Sequence, residues 1–92
     1  MLQLVTIDLT HADLTLFDAY EARVLPLLAA HGARLEARVR ARDGSSETHL
    51  LSFPDARAFD LYCWSPHRIA ALEDWHASGA TATVTEVVRV ET

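Results

Sequence analysis

The chain has 92 residues, a length that fits one small domain, and we expect residues 1–92 to fold as a single unit. Half of the residues are hydrophobic and 23% are charged, which is typical of a globular protein and excludes a disordered one. The formal net charge of −5 argues against a protein that binds nucleic acid by neutralising phosphates.

Cysteine usage and the N-terminal residues predict where the protein works. The single cysteine, Cys63, cannot form a disulfide within the chain, so the fold does not depend on an oxidising compartment. Residues 1–10 lack a basic start, and Asp8 interrupts their apolar run, which is unlike a signal peptide. No apolar stretch is long enough to cross a membrane. We therefore expect a cytoplasmic protein with no membrane partner.

Four segments have the composition and alternation of β-strands. Residues 2–9 alternate and are rich in Leu, Val, Ile and Thr. Residues 33–42 alternate between apolar and mostly charged positions, and residues 47–53 return after a turn at residues 43–46. Residues 80–91, rich in Thr and Val, predict a β-branched last strand.

The first helical segment lies between the first two strands. Thr10 or Asp13 can cap it, and Gly32 stands where a glycine commonly ends a helix. Pro26 lies inside this segment and removes one backbone hydrogen bond, so we expect a bend there.

The second helical segment begins with Asp55 as its cap. Ser65 and Pro66 break it, with Ser65 as the cap of the next turn, and an apolar stripe then continues to Ser78 and Gly79. We expect Phe59 and Tyr62 to face inward. If the protein has a pocket, we expect it between this segment and the sheet near the break, because interrupted helices keep unpaired backbone groups and pack less tightly.

The order β-α-β-β-α-β predicts a ferredoxin-like α+β fold, in which both helical segments cover one face of a four-stranded antiparallel sheet. The other face stays uncovered. We expect it to carry a mixed set of apolar, hydroxyl and charged side chains: Leu2, Leu4, Thr6, Asp8, Arg38, Arg40, Thr83, Thr85, Val87 and Arg89. A self-complementary apolar patch of this kind predicts a homodimer through the open sheet face.

Two registers are possible for the central hairpin. Pairing Arg42 with Glu47 would place His49 beside Arg40, whereas pairing Val39 with His49 matches apolar residues across the strands. The second register places His49 on the helix-covered face and Arg38 on the opposite face, where it could bind a carboxylate or phosphate in a barrel cavity.

The helical segments also resemble a known family. The stretch YEARVLPLLAAHG, from Tyr20 to Gly32, is followed by a strand and then by FPDARAFDLYCWSPHRIAAL. This pattern resembles the bacterial family called domain of unknown function 1330, in the dimeric α/β barrel superfamily. The short turn at residues 43–46 departs from that family, because it lacks an aromatic-arginine run. The resemblance implies a homodimer in which two sheets face each other. It implies no single reaction, because the superfamily includes monooxygenases, isomerases, cyclases, haem enzymes and domains without known activity.

Five residues around the helix break are candidates for a site. His49 could act as a general base and Tyr62 as a catalytic hydroxyl donor, with Trp64 as a wall. His67 or Arg68 could hold an acidic group of the substrate. Three of them have a plainer interpretation, which is core packing for His49 and simple exposure for His67 and Arg68.

Other classes of site find no support in the sequence. The five histidines and Cys63 show no spacing typical of a metal site, so we predict no metal and no cofactor. An RNA-binding sheet needs aromatic residues on its central strands, and only Phe53 is available.

Two hypotheses therefore remain for the function. One is a cofactor-independent enzyme of the monooxygenase, isomerase or cyclase type, which acts on a small organic molecule. The other is a non-catalytic dimeric ligand-binding or accessory domain. No complete set of nucleophile, base and orienting residue decides between them.

Overall fold

Four seven-residue strands form one antiparallel sheet in the computed structural model, which describes residues 1–92. The strands are β1 (Leu2–Asp8), β2 (Arg34–Arg40), β3 (Ser46–Ser52) and β4 (Thr81–Val87). They are ordered β2-β3-β1-β4, as a ferredoxin-like fold requires. The helices all lie on one face, so the predicted α+β fold class is confirmed. β4 ends earlier than predicted, and Arg89 lies beyond the strand in a segment without regular structure.

The first helical segment consists of α1 (Leu14–Val24) and a 3₁₀ helix (Leu25–His31). Asp13 is the cap, and its carboxylate accepts a hydrogen bond of 3.1 Å from the backbone N–H of Leu16. At Pro26, where a bend was predicted, the backbone changes from α-helical to 3₁₀ geometry. Gly32 ends the segment with φ at +66°, and a Cβ there would lie 3.0 Å from the ring of Pro54.

The second helical segment divides into α2 (Ala56–Cys63), α3 (Pro66–Ala70) and α4 (Leu72–Ser78). Asp55 caps α2 and accepts a hydrogen bond of 2.8 Å from the backbone N–H of Ala58. The chain breaks at Ser65 as predicted, but the Ser65 side chain makes no capping hydrogen bond. Tyr62 is buried and Phe59 is partly buried, as their positions on the inward side of α2 predicted.

The register of the β2–β3 hairpin is neither of the two that the sequence suggested. Arg40 pairs with Glu47 and Arg38 with His49, while Leu35 pairs with Leu51. A β-bulge between Leu35 and Ala37 shifts the register by one residue. Because a shift of one residue turns the side chains over, Arg38 and Arg40 lie on the helix-covered face, not on the open face as predicted.

The core lies between the sheet and the helices. The larger group of buried residues surrounds Tyr20, Leu28 and Phe53, and the smaller one surrounds Ile7 and Phe17. His49 is also on this face and is only 3% exposed, so its predicted side is correct although the predicted pairing is not. The opposite face has no helix on it.

Candidate active site

A cavity of about 110 Å³ lies between the sheet and the helices. Its apolar lining comes from Val5, Ile7, Val24, Leu25, Leu51, Phe59, Ala82 and Val84. Its polar or polar-tipped lining comes from Tyr20, Glu21, His49, Tyr62, Cys63, Arg68 and Trp75. Ala82 and Val84 belong to edge strand β4 and are exposed, so the cavity reaches the surface on that side. Residues on both sides of the break at Ser65 line it, which is where the sequence predicted a cleft.

His49 is held in one orientation by Glu47, two residues before it on the same face of β3. The Nε2 atom of His49 lies 2.5 Å from a carboxylate oxygen of Glu47. Burial lowers the pKa of His49 below its ordinary value, and the hydrogen bond to Glu47 only partly opposes this. At neutral pH the ring is therefore uncharged. Because a carboxylate can only accept, Nε2 carries the proton and Nδ1 keeps a free lone pair.

Two arginines keep Glu47 ionised although it is only 2% exposed. Arg38 Nε and Arg40 Nε donate hydrogen bonds to the two carboxylate oxygens, at 2.9 Å and 2.7 Å. Burial raises the pKa of Glu47, but the hydrogen bonds from His49, Arg40 and Arg38 outweigh it, and the pKa is below its ordinary value. Asp18 of α1 completes this arrangement by accepting a hydrogen bond of 2.6 Å from Arg40.

Tyr62 and Arg68 meet at the end of the cavity nearest the helix break. The guanidinium carbon of Arg68 lies 5.3 Å from the centre of the Tyr62 ring, and Arg68 donates a hydrogen bond of 3.3 Å to the carbonyl oxygen of Cys63. Burial raises the pKa of Tyr62 to about 12, although Arg68 acts against this. The Tyr62 hydroxyl therefore stays protonated at neutral pH and can donate a hydrogen bond.

Glu21 is a buried carboxylate in the same cavity, only 5% exposed. Burial raises its pKa to about 7; Arg38 and Arg68 oppose the shift, and Glu47 and Asp18 add to it. No hydrogen bond contributes to this pKa, so nothing in the chain replaces the water that the carboxylate has lost. Near neutral pH, Glu21 can exchange a proton with whatever occupies the cavity.

Two of the predicted site residues lie outside the cavity. Trp64 is 75% exposed, because Tyr62 and Cys63 already occupy the inward side of the last turn of α2. His67 is exposed because its neighbour Arg68 takes the inward side of α3. The wall predicted for Trp64 is formed by Trp75 of α4, whose ring centre lies 5.2 Å from that of Tyr20. The structure thus brings together His49, Tyr62 and Arg68.

Sequence reasoning missed Glu21 and Glu47, and each had a signal. Glu21 lies four residues after Phe17 and three before Val24, so it interrupts the buried stripe of α1 with a carboxylate. Glu47 precedes His49 by two residues, the spacing that places two side chains on one face of a strand.

The structure contains no group of three or more His, Cys, Asp or Glu side chains that could hold a metal ion. None of its helices has the length and apolar character needed to span a bilayer.

The comparisons with known proteins identify the fold. No protein-family model and no curated protein matches the chain. Among solved structures, the chain is similar to SnoaB, a cofactor-independent oxygenase from Streptomyces nogalater, with a TM-score of 0.80, 18% identity, and coverage of 99% of this chain and 94% of SnoaB. It is also similar to an antibiotic biosynthesis monooxygenase, with a TM-score of 0.61, 14% identity, and coverage of 97% of this chain and 100% of the other.

A third similar structure is a dimeric ferredoxin-like protein of unknown function from a Jannaschia species. Its TM-score is 0.67 and its identity 18%, and the match covers 95% of this chain and 100% of the other. At these identities the similarity establishes the ferredoxin-like fold. None of the comparisons points to domain of unknown function 1330, so that part of the resemblance stays a prediction.

Proposed function

We propose that the protein is a cofactor-independent enzyme of the oxygenase type, in which His49 removes a proton from a small, largely apolar organic molecule bound in the cavity. One observation carries the proposal. His49 lines the cavity with an uncharged ring whose Nε2 proton is bound by Glu47, which leaves Nδ1 free to accept a proton.

The orientation of His49 suits this role. A base that must act in one direction needs a fixed tautomer, and the ionised Glu47 selects the tautomer with the proton on Nε2. When Nδ1 takes a proton, the positive charge on the ring is stabilised by the carboxylate beside it. Tyr62 supplies a neutral hydroxyl donor in the same cavity.

The cavity suits a reaction in which the substrate itself reduces O₂. Removal of a proton from an acidic methylene group leaves a carbanion, from which O₂ can take electrons without a cofactor. One oxygen atom then replaces the two methylene hydrogens and the other leaves as water, so four electrons pass from the substrate carbon to O₂. The name of the similar structure SnoaB, a cofactor-independent oxygenase, supports this class of chemistry.

A test uses anthrone, which presents an acidic methylene group on a flat aromatic frame. Purified protein treated with a chelator should consume O₂ in the presence of anthrone, as recorded with an oxygen electrode. His49→Ala should lower the rate about 100-fold or more, because a general base contributes at least that much. His76→Ala is the matched control, since His76 is exposed and does not line the cavity.

Deuterium exchange separates the possible outcomes. Without O₂, the methylene hydrogens of anthrone should exchange with deuterated water when wild-type protein is present, and not with His49→Ala. Exchange without O₂ consumption would favour an isomerase or cyclase type of reaction. Binding detected by thermal shift, with neither exchange nor oxygen uptake, would support the alternative of a non-catalytic ligand-binding domain.

We also propose that two copies associate through the open sheet face. Leu2, Leu4, Leu50 and Val87 project on this face, and Val39 beside them is 61% exposed. An apolar patch of this kind marks an interface, and a two-fold axis would bury the same patch on both copies. The similarity to the dimeric Jannaschia protein supports this arrangement.

Light scattering tests the homodimer. The wild-type protein at micromolar concentration should have about twice the 10.2 kDa mass of the chain. Leu4→Glu should yield a folded monomer, because it places a charge at the centre of the open face. Leu61→Glu is the control, since Leu61 is 54% exposed on α2, away from the sheet. A wild-type monomer would contradict the proposal.

A further inference from the structure

Two carboxyl groups are buried under the helices, and only one of them has partners in the chain. Glu47 is bonded to Arg38, Arg40 and His49. Glu21 of α1 is only 5% exposed and lines the cavity, yet its carboxyl group makes no hydrogen bond and no salt bridge. A buried carboxyl group has lost its hydration, so one that the chain leaves unpaired is costly unless something else supplies a hydrogen bond.

The carboxyl oxygens of Glu21 are open to the cavity. Only one buried side-chain nitrogen or oxygen atom in the structure is both closed to solvent and without a hydrogen-bond partner, and it is Nε of Arg68. The Glu21 oxygens also lack a hydrogen bond, so they keep accessible surface. Because the residue is more than nine-tenths buried and lines the cavity, that surface faces the cavity. A molecule bound there can reach the carboxyl group.

The charges around Glu21 decide which kind of group it can bind. Arg38 and Arg68 bring positive charge near it, so a cationic ligand would meet like charges. An anionic ligand would meet Glu21 itself and Glu47. A neutral hydrogen-bond donor avoids both conflicts. The titratable and charged groups around Glu21 are Arg38 on β2, Glu47 and His49 on β3, Tyr62 on α2, Arg68 on α3, and Asp18 and Tyr20 on α1 itself.

We propose that Glu21 accepts a hydrogen bond from a hydroxyl group of the substrate, and that the substrate class is therefore a neutral hydroxylated molecule with an apolar body. This inference rests on the proposed function, because it places the substrate in the same cavity. The apolar lining contacts the body of the molecule, and Glu21 selects for the hydroxyl group. Glu21 thus determines specificity and takes no part in the removal of a proton by His49.

The proposed hydrogen bond gives ligand binding a characteristic pH dependence. Burial raises the pKa of Glu21 to about 7, so its charge changes between pH 5.5 and pH 8.5. A carboxylate accepts a hydrogen bond more strongly than a neutral acid does. A hydroxyl ligand therefore favours the ionised form and lowers the pKa of Glu21, whereas an apolar ligand displaces water from the carboxylate and raises it. The affinities for the two kinds of ligand should change with pH in opposite directions.

Benzyl alcohol and toluene test this prediction, because they differ by one hydroxyl group and neither ionises in this range. In wild-type protein, the ratio of the affinity for benzyl alcohol to that for toluene should rise about tenfold from pH 5.5 to pH 8.5, as measured by ligand-observed NMR. In Glu21→Gln the ratio should not change with pH, because an amide does not ionise. Glu73→Gln is the control and should behave as wild type, since Glu73 is exposed on α4 and does not line the cavity.

A second measurement uses wild-type protein alone, so it does not depend on how a variant folds. Carbon NMR of the carboxyl group follows the titration of Glu21. Saturating benzyl alcohol should lower the pKa of Glu21, and toluene should raise it. The same pKa with either ligand, a ratio of affinities that does not change with pH, or no binding of benzyl alcohol at millimolar concentration would overturn the inference. Tighter binding of protonated benzylamine than of benzyl alcohol at pH 7 would overturn the neutral substrate class.

The same probes separate this inference from the proposed function, because their binding requires no removal of a proton. If both are correct, His49→Ala loses deuterium exchange into anthrone but keeps the rise of the affinity ratio with pH. Exchange that depends on His49, together with a ratio that does not change with pH, would overturn the role of Glu21 and leave the base intact. A ratio that rises in wild type and not in Glu21→Gln, with no exchange into anthrone, would retain the role of Glu21 and contradict the base.

Discussion

Two polar clusters lie under the helices, and they differ in whether their charges are paired. The first, the paired cluster, consists of Asp18, Arg38, Arg40 and Glu47, in which every guanidinium and carboxylate has a partner. The second, the cavity cluster, consists of Tyr20, Glu21, Tyr62 and Arg68. There the Glu21 carboxylate and the Arg68 Nε atom have no hydrogen-bond partner in the chain.

The difference indicates which cluster serves the fold and which is left for a ligand. Buried polar groups that are fully paired hold a structure in one arrangement, whereas unpaired ones are costly unless something binds them. His49 contacts the paired cluster through Nε2 and lines the cavity beside the other cluster. The paired cluster thus fixes the orientation of His49 while the ring faces the cavity, as a positioned base requires.

The largest expected effect comes from breaking the paired cluster. Glu47→Gln should lower the free energy of unfolding by about 3 kcal/mol, because it leaves two guanidinium groups near the core with only the half-exposed Asp18 as a carboxylate partner. Their partial exposure, 36% for Arg38 and 31% for Arg40, places the effect toward the low end of such cases. Urea denaturation at pH 7 measures it, with Glu86→Gln on exposed β4 as the control.

The pH dependence of this effect has a definite sign. The pKa of Glu47 is lowered in the folded state, so its contribution is present above the ordinary glutamate pKa and is lost as the pH falls through the folded value. The difference in unfolding free energy between wild type and Glu47→Gln should therefore become smaller at acidic pH. A difference that does not change with pH, or a variant as stable as wild type, would show that the paired cluster does not stabilise the fold.

In the cavity cluster, Glu21→Gln should have a smaller effect on the free energy of unfolding, and one of opposite sign. The pKa of Glu21 is raised from 4.5 to about 7 in the folded state, so the folded protein loses stability as the pH rises between those values. The loss amounts to about 3 kcal/mol at most, from the free energy of one pKa unit. Glu21→Gln should remove this loss and be more stable than wild type at pH 8, but not at pH 4.5.

Chemical denaturation of both proteins across this range measures the difference, with exposed Glu73→Gln as the control. The lowered pKa of His49 also reduces stability as the pH falls below the ordinary histidine value, but both proteins share that contribution. If the free energies of unfolding of wild type and Glu21→Gln change with pH in parallel, Glu21 is paired or hydrated in solution.

The smallest effects concern the two tryptophans near the cavity. Trp75→Ala should lower the free energy of unfolding by about 2 kcal/mol, because the partly buried Trp75 ring packs on Tyr20 and Phe17. Trp64→Ala should change it by less than about 0.5 kcal/mol, since Trp64 is largely exposed. Thermal unfolding and binding of anthrone, measured as a ligand-induced thermal shift, should both respond only to Trp75→Ala. A loss of binding in Trp64→Ala would mean that Trp64 forms a wall of the cavity, as the sequence predicted.

Much of the fold could be predicted because it depends on local chemistry. Asp13 and Asp55 cap their helices through hydrogen bonds to residues three positions ahead, and such bonds can be read from the sequence. The break at Ser65 and the end at Gly32 follow from backbone preferences of proline and glycine. The inward position of Tyr62 followed from helical spacing.

The candidate site could be predicted only in part. His49 and Tyr62 were identified because each stands among apolar neighbours at the spacing of its own element. Trp64 and His67 were misplaced because a helix break changes the direction of the chain, and helical spacing cannot be carried across it. Glu47 was missed because the two arginines that hold it lie on the neighbouring strand β2, whose register a bulge decides. Glu21 was missed because its burial depends on how α1 packs against other elements.

By itself, then, the sequence determined the order of the elements and the residues at which the helical segments begin, break and end. The tertiary structure alone decided what surrounds His49. The bulge between Leu35 and Ala37 turns Arg38 and Arg40 toward Glu47, and a bulge is set by the pairing of two strands, which no single segment specifies. The orphaned Nε of Arg68 likewise depends on which helices meet, because burial is a property of packing between elements.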